Sequence, residues 1–245
     1  MRKKKTEQGF EYLKDGYEER AVERWSRDLK HSPEQVLKSC EEAVTQAEST
    51  DAAATFTEVH TQCVTLLRGF CEMLIAQTAR IPKPTSIFLG EEERKPAYAA
   101  ICRLLGETET FRKNFGAATM EVMAIESLLS RCTRARNHAT RILADVGAAT
   151  RRVPVTDAFF SAHGMLRARL TAENENAMRV AEKSTALQGK VTAFYSDVLP
   201  NFCIRAEKAA DMAHDGEACN PMVLIRLCGE LREATENLVR QLEKY

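Results

Sequence analysis

Apolar residues recur along this chain at alternating steps of three and four, and the longest series runs from Ile101 to Val153. It passes through Leu104, Phe111, Phe115, Ala118, Val122, Ile125, Leu129, Cys132, Ala139, Leu143 and Val146; only Thr108, Arg136 and Thr150 interrupt it. A heptad seam kept for about seven repeats predicts one long helix with coiled-coil packing. At 1.5 Å per residue such a helix is roughly 80 Å long. That exceeds the diameter of a compact globule of this size, so an elongated molecule is expected.

Two further long helices follow from the same reading. One covers about 33 to 80. Ser32, Pro33 and Gln35 make its start: a serine N-cap, proline at the first helical position and glutamine placed for a capping box. Its seam of Val36, Cys40, Ala43 and Ala47 changes phase near "STDAAATF" and resumes as Phe56, Val59, Cys63, Leu66, Phe70 and Met73. A bend or a change of partner is therefore expected at about 49 to 54. The segment "RIPKPTSIFLGEEERKP" carries three prolines and reads as the one substantial linker.

The third long helix starts after "RRVPVTD", capped by Thr156 or Asp157. Its seam is Phe159, His163, Leu166, Leu170, Ala177, Val180, Leu187, Val191, Phe194 and Val198. Beyond Pro200 the seam continues as Phe202, Ala206, Ala209 and Ala213. If Pro200 opened a new helix, Leu199 would be its N-cap, and leucine is a poor one. Pro200 is therefore predicted to kink one continuing helix. By contrast, Asn220 and Pro221 after Gly216 predict a true restart, into a closing helix built on Leu224, Cys228, Leu231, Ala234, Leu238 and Leu242. The fold class is all-α: an elongated antiparallel bundle of three long helices, kinked, plus a shorter C-terminal helix. A segment of residues 1–31 is set apart from this bundle of 32–245.

Composition agrees, with 44% hydrophobic and 29% charged residues and few prolines and glycines. The start has a basic run without an apolar stretch after it, which predicts no secretory signal; Arg2 predicts no myristoylation. No window of 18 apolar residues predicts a membrane span. The expectation is a cytoplasmic, peripheral protein. Eight cysteines include no C-x-x-C pair, so reduced thiols serving as small core residues are expected, with no metal and no cofactor. There is no glycine-rich phosphate loop, nucleophile elbow or HExxH, and the five histidines are scattered, so no enzyme is expected.

A net charge of zero hides a partition. Between residues 131 and 169 lie eight arginines, no lysine and two acids, a net +6 over 39 residues. Arg131, Arg134, His138 and Arg141 fall on one helix face; Arg151 and Arg152 occupy the turn; Arg167 and Arg169 return alongside. Such a zone suits an anionic surface, and attraction of about 1 kcal/mol per basic residue near an anionic leaflet would accumulate over it. Without aromatic platforms or a nucleic-acid motif, no nucleic acid is expected. The competing expectation is that individual arginines pair with acids such as Glu41, Glu42, Glu48 and Glu58. Lys3, Lys4 and Lys5 precede Phe10, Leu13 and Tyr17, which share a face of an interfacial helix if the segment does not stay a solvated tail. Phe159 and Phe160, in "VPVTDAFFSA", are candidates for insertion into lipid, with one of the two expected to pack against the preceding helix instead.

The stretch "LQGKVTAFYSDVLPNFCIRAEKAADMA", with Leu199, Pro200, Phe202 and Arg205, resembles the third helix of amphiphysin-type BAR domains, and "ENLVRQLEKY" resembles their last helix. "IESLLSRCTRARNHATRILADVGAATRR" is similar to the second helix of that family, which ends in a basic stretch. The resemblance implies a homodimeric or heterodimeric crescent with a six-helix core. Its basic faces bind anionic membrane lipids, phosphoinositides among them, and it works in endocytosis or membrane remodelling. The rival is a helical coiled-coil scaffold that binds cytoskeletal or trafficking proteins and no lipid.

Overall fold

The structure, a computed structural model, describes residues 2–48, 50–81, 91–214 and 221–245, with side chains from residue 16 onward except at 50, 51, 91–94, 213 and 221. The described residues are all-α, with no strand among them. The elements are α1 (Arg2–His31), α2 (Pro33–Ala47), α3 (Thr50–Arg80), α4 (Glu91–Ala149), α5 (Asp157–Ala193), a π-helical turn (Phe194–Val198), α6 (Leu199–His214) and α7 (Pro221–Leu242). Contacts group them into two compact units. The first comprises Met1–Ala53 and Ser127–Val180, and the second Ala54–Glu126 and Ala181–Tyr245.

The core of the first unit is drawn from α1, α2, the second part of α4 and the first part of α5. Val36, Cys40, Ala43, Val44 and Ala47 of α2 pack with Ala139, Leu143, Val146, Ala149 and Val153, and with Phe159 and Leu170. The N-terminal segment joins this core through Trp25 and Leu29, with Val22 half-buried against them. Those three positions continue the three-and-four spacing. Ser32 stands between α1 and α2 as predicted, with Pro33 opening α2, but its side chain makes no capping bond. Its amide donates to the Asp28 carbonyl at 2.8 Å and its carbonyl accepts from Val36 at 3.2 Å, so its backbone closes one helix and opens the next. α2 ends at Ala47 with Glu48 extended (φ −64°, ψ 132°), so the one helix expected over 33–80 is two, parted just before the stretch where a bend or change of partner was expected. Of the two candidate caps for α5, Thr156 serves: its Oγ1 accepts the Phe159 amide at 3.2 Å.

In the second unit, α3, the first part of α4, the end of α5, the π turn, α6 and α7 share a core. The α4 seam is buried from Ile101 through Leu104, Thr108, Phe111, Phe115, Ala118 and Val122 to Ile125. The α3 seam departs from expectation after Cys63. The buried positions are Leu67, Phe70 and Leu74, while Leu66 and Met73 are only half-buried. Both Leu66 and Leu67 are apolar, so spacing alone did not choose between them. α4 also begins at Glu91 and takes Pro96 inside it, so the linker is shorter than the three prolines suggested; residues 82–90, like Gly216, Cys219 and Asn220, lie outside the described residues.

Helical backbone continues through Pro200. Leu199 has φ −64° and ψ −49°, helical rather than capping values, and its amide donates to the Phe194 carbonyl five residues back. The wide turn opens the backbone where the proline ring would otherwise press on the carbonyl of Ser196, four residues before it. It also resets the seam. Leu199 is fully buried and the expected Val198 only half-buried, because the step from Phe194 is five residues and not four. Phe202, Ala206 and Ala209 then follow in α spacing.

The π turn meets α4 through aromatic contacts. Phe70 stacks on Phe111 (centroids 3.8 Å), Phe111 on Phe115 (5.2 Å), and Phe194 sets its edge against Phe115 at 5.8 Å. Next along, the Tyr195 side chain lies on Gly116, where an added Cβ would meet two ring carbons and the hydroxyl oxygen at 3.1–3.3 Å. Arg112 stacks on the same ring at 5.7 Å. Alanine is favoured over glycine in a helix by about 1 kcal/mol. Gly116→Ala should therefore stabilise by about that amount when Tyr195 is also Ala, and by at least ~0.5 kcal/mol less when Tyr195 is present. Urea denaturation of the four chains of this cycle measures the coupling; additive effects would show that Tyr195 does not constrain α4.

Candidate functional site

The arginine-rich zone lies in the first unit, on the second part of α4, the turn after it and the start of α5. Arg131, Arg134 and Arg141 are exposed on α4, spaced so that His138 falls on the same side. α4 ends in a turn in which the amides of Arg151 and Arg152 donate to Ala148 and Ala149 at 3.2 and 2.9 Å, with the Thr150 hydroxyl donating to Gly147. Both arginine side chains are thereby held at the surface. Arg151 and Arg167 are brought together on one cavity of about 420 Å³ between α4 and α5, with Thr140, Thr171 and Asn174 on its rim. Among the described residues, Arg131, Arg134, Arg151, Arg152 and Arg167 have no ion pair.

Other expected members of the zone are engaged within the protein. Arg169 pairs with Glu48: its Nε donates to Oε1 at 2.8 Å, its Nη2 donates to the same carboxylate, and Nη2 lies 3.4 Å from the Thr45 hydroxyl. Arg141 lies over the ring of Tyr17 at 3.9 Å. Arg136, the charged break in the α4 seam, is half-buried; its Nη2 donates to Thr133 Oγ1 at 2.8 Å and its Nη1 is buried without a partner among the described residues.

Phe159 must be withdrawn as a lipid-inserting residue. It is 3% exposed, stacks on His163 at 6.3 Å and belongs to the core, because it shares the α5 seam with His163 and Leu170. Phe160, one position on and so turned about 100° around the helix, is 51% exposed. His163 is a satisfied core histidine, with Nε2 donating to the Leu143 carbonyl at 3.0 Å. Lys3, Lys4, Lys5, Phe10 and Leu13 lie on α1, which is helical where a tail was the alternative, but their side chains lie outside the described residues.

The structure adds residues that the zone did not include. A cavity of about 560 Å³ between α1 and α4 is bordered by Arg20, Arg24 and Arg141, by His138, and by Tyr17 and Trp25. Asp145 is the one acid on its lining. Burial pushes the Asp145 carboxyl up from its ordinary value; Arg141 and Arg24 act against this, and Glu18 adds to it. The signal was present in the sequence as Arg20 and Arg24 four apart on a face with Tyr17. The many acids of α1 masked it.

Among the described residues no group of three or more histidine, cysteine, aspartate or glutamate side chains is arranged to hold a metal ion. No described helix is long and apolar enough to cross a membrane. Comparison of the chain with protein-family models, with curated proteins and with solved structures finds no match.

The buried thiols set a pH limit on both units. Burial pushes Cys40 in the first unit from 9.0 up to about 11, and Cys63 in the second likewise, with Glu121 adding to the effect at Cys63. A thiol raised in the folded state favours the folded, protonated form. Its stabilisation is whole below pH 9 and is lost as pH rises through 11. Urea midpoints should accordingly fall between pH 8.5 and 11, and the fall should be shallower in Cys40→Ala/Cys63→Ala. An equal slope in both chains would place the sensitivity elsewhere.

Proposed function

We propose that this chain is a non-enzymatic, peripheral membrane scaffold. It dimerises, as a BAR-like crescent of long kinked helices, and binds anionic lipid surfaces to sense or induce curvature, with endocytosis or membrane remodelling as its setting. The observation that carries the reading is the set of exposed arginines around the α4–α5 turn that have no acid partner among the described residues. An arginine left facing water has its full charge available to an anionic leaflet. Exposed Phe160 stands beside this turn, apolar surface of the kind that settles at the headgroup boundary. Met120 and Met123, exposed and three residues apart on α4 in the second unit, offer apolar surface for a second copy.

A second reading, a helical scaffold that binds proteins and not lipid, draws on the Arg169–Glu48 pair and the Arg141–Tyr17 stack. Arg169 is spent on its internal pair, and Arg141 is held against a ring of α1. The two readings part on vesicles. At low salt the chain should float with vesicles containing phosphatidylserine and phosphoinositide, and not with pure phosphatidylcholine. Arg151→Glu/Arg152→Glu should weaken flotation several-fold, and raising salt should weaken it further. Failure to float at low salt sinks the membrane reading and leaves the protein-binding scaffold. Small-angle scattering checks the dimer: a maximum dimension far beyond that of a globule of twice this mass is expected, and a compact monomer would end the crescent.

A further inference from the structure

We propose that the cavity between α1 and α4 is a discrete binding site for a compact polyphosphate group, held by Arg20, Arg24, Arg141 and His138. Its volume of about 560 Å³ falls within the range of about 300–1,000 Å³ usual for small-molecule clefts. The site is distinct from the surface around Arg151 and Arg152, and it does not require that the chain bind membranes.

The arginines of this cavity are held without ion pairs among the described residues. Arg24 lies over the Trp25 ring at 4.8 Å and Arg141 over the Tyr17 ring at 3.9 Å. A guanidinium stacked on a ring is fixed in orientation through its face, while its N–H donors stay in its plane. Stacking thus orders these two side chains without consuming the donors that an ion pair would take. Neither has a carboxylate within ion-pair distance among the described residues. Arg20 is anchored at one end only, with Nε donating to the Gly16 carbonyl at 2.8 Å, so its terminal nitrogens remain for a ligand. Trp25 is itself buried in the core of the unit, which makes it a rigid backing for Arg24.

The charge count selects the ligand class. Three guanidiniums and an imidazole face one acid, Asp145. The three guanidiniums outnumber that acid, and a single carboxylate would leave part of their charge uncompensated. A group carrying several phosphate charges matches it, and planar guanidinium donors pair bidentately with phosphate oxygens. Asp145 lies among opposing charges, and its burial weakens its hold on a negative charge, so it competes poorly with such a ligand. The source of the phosphates is either a soluble inositol polyphosphate or the headgroup of a phosphoinositide.

Isothermal titration of the full chain with inositol 1,4,5-trisphosphate at low salt tests this directly. Saturable binding of one molecule per chain is expected. Arg24→Gln/Arg141→Gln should weaken it at least tenfold, while Arg151→Gln/Arg152→Gln should leave it unchanged. Arg20→Gln, which removes no ring contact, should weaken it several-fold and guards against a folding artefact; thermal melts confirm that each chain is folded. No saturable binding, or equal binding by the Arg24/Arg141 variant, overturns the proposal. Vesicle arms separate the sources. Trisphosphate that displaces the chain from phosphoinositide vesicles, but does not displace the Arg24/Arg141 variant, identifies the headgroup as ligand. Trisphosphate binding by a chain that never floats with vesicles identifies a soluble polyphosphate, and would count against the membrane reading alone.

Discussion

Burial of one apolar stripe along α4 is the constraint on which the rest of this structure depends. The first part of the stripe, Ile101 to Ile125, lies in the core of the second unit, and Ala139 to Ala149 lie in that of the first. Between them Leu129, Cys132 and Arg136 are only half-buried, and the chain passes from one unit to the other at Ser127. A single 59-residue helix thus serves two cores. Its polar face is free for other uses, and within the first unit that face carries the arginines.

Much of this was legible because helical spacing is a strong signal over long segments. The α4 seam, the change of phase after α2, the passage through Pro200 and the restart at Pro221 all follow from periodicity and cap chemistry. Spacing failed where two adjacent apolar residues compete for one position. At Leu66–Leu67 a shift of one residue decides the buried face. At Val198–Leu199 a π step made the decision, and π steps leave no mark in a pattern read as threes and fours. The serine at the start of α2 has the right identity for a cap but uses its backbone instead. That is geometry, which residue type does not determine.

The candidate site was legible as a charge density and not as a geometry. The eight arginines between 131 and 169 were visible as a cluster, yet their fates differ. Arg169 is paired with Glu48, Arg141 stacks on Tyr17, Arg136 is half inside, and Arg151 shares a cavity with Arg167. The first two depend on partners more than 100 positions away in the chain, Glu48 and Tyr17, which no local pattern connects. The contribution of α1 was obscured for a related reason: its acids made it read as solvated, while Val22, Trp25 and Leu29 quietly kept the core spacing.

The π turn before Pro200 has a consequence for how the chain tolerates changes in length. In an ordinary helix, deleting one residue rotates everything beyond it by about 100° and carries an apolar face out of its core. Between Phe194 and Leu199 the protein already holds one residue more than an α turn needs. Losing one of Ser196, Asp197 or Val198 would restore a four-residue step and keep Leu199, Phe202 and Ala206 on their face. Pro200 would then have to sit in an unrelieved α turn, so the register would survive and the strain would return. The extra residue and the proline are two halves of one accommodation, and a change in sequence that removed either would be expected to remove both.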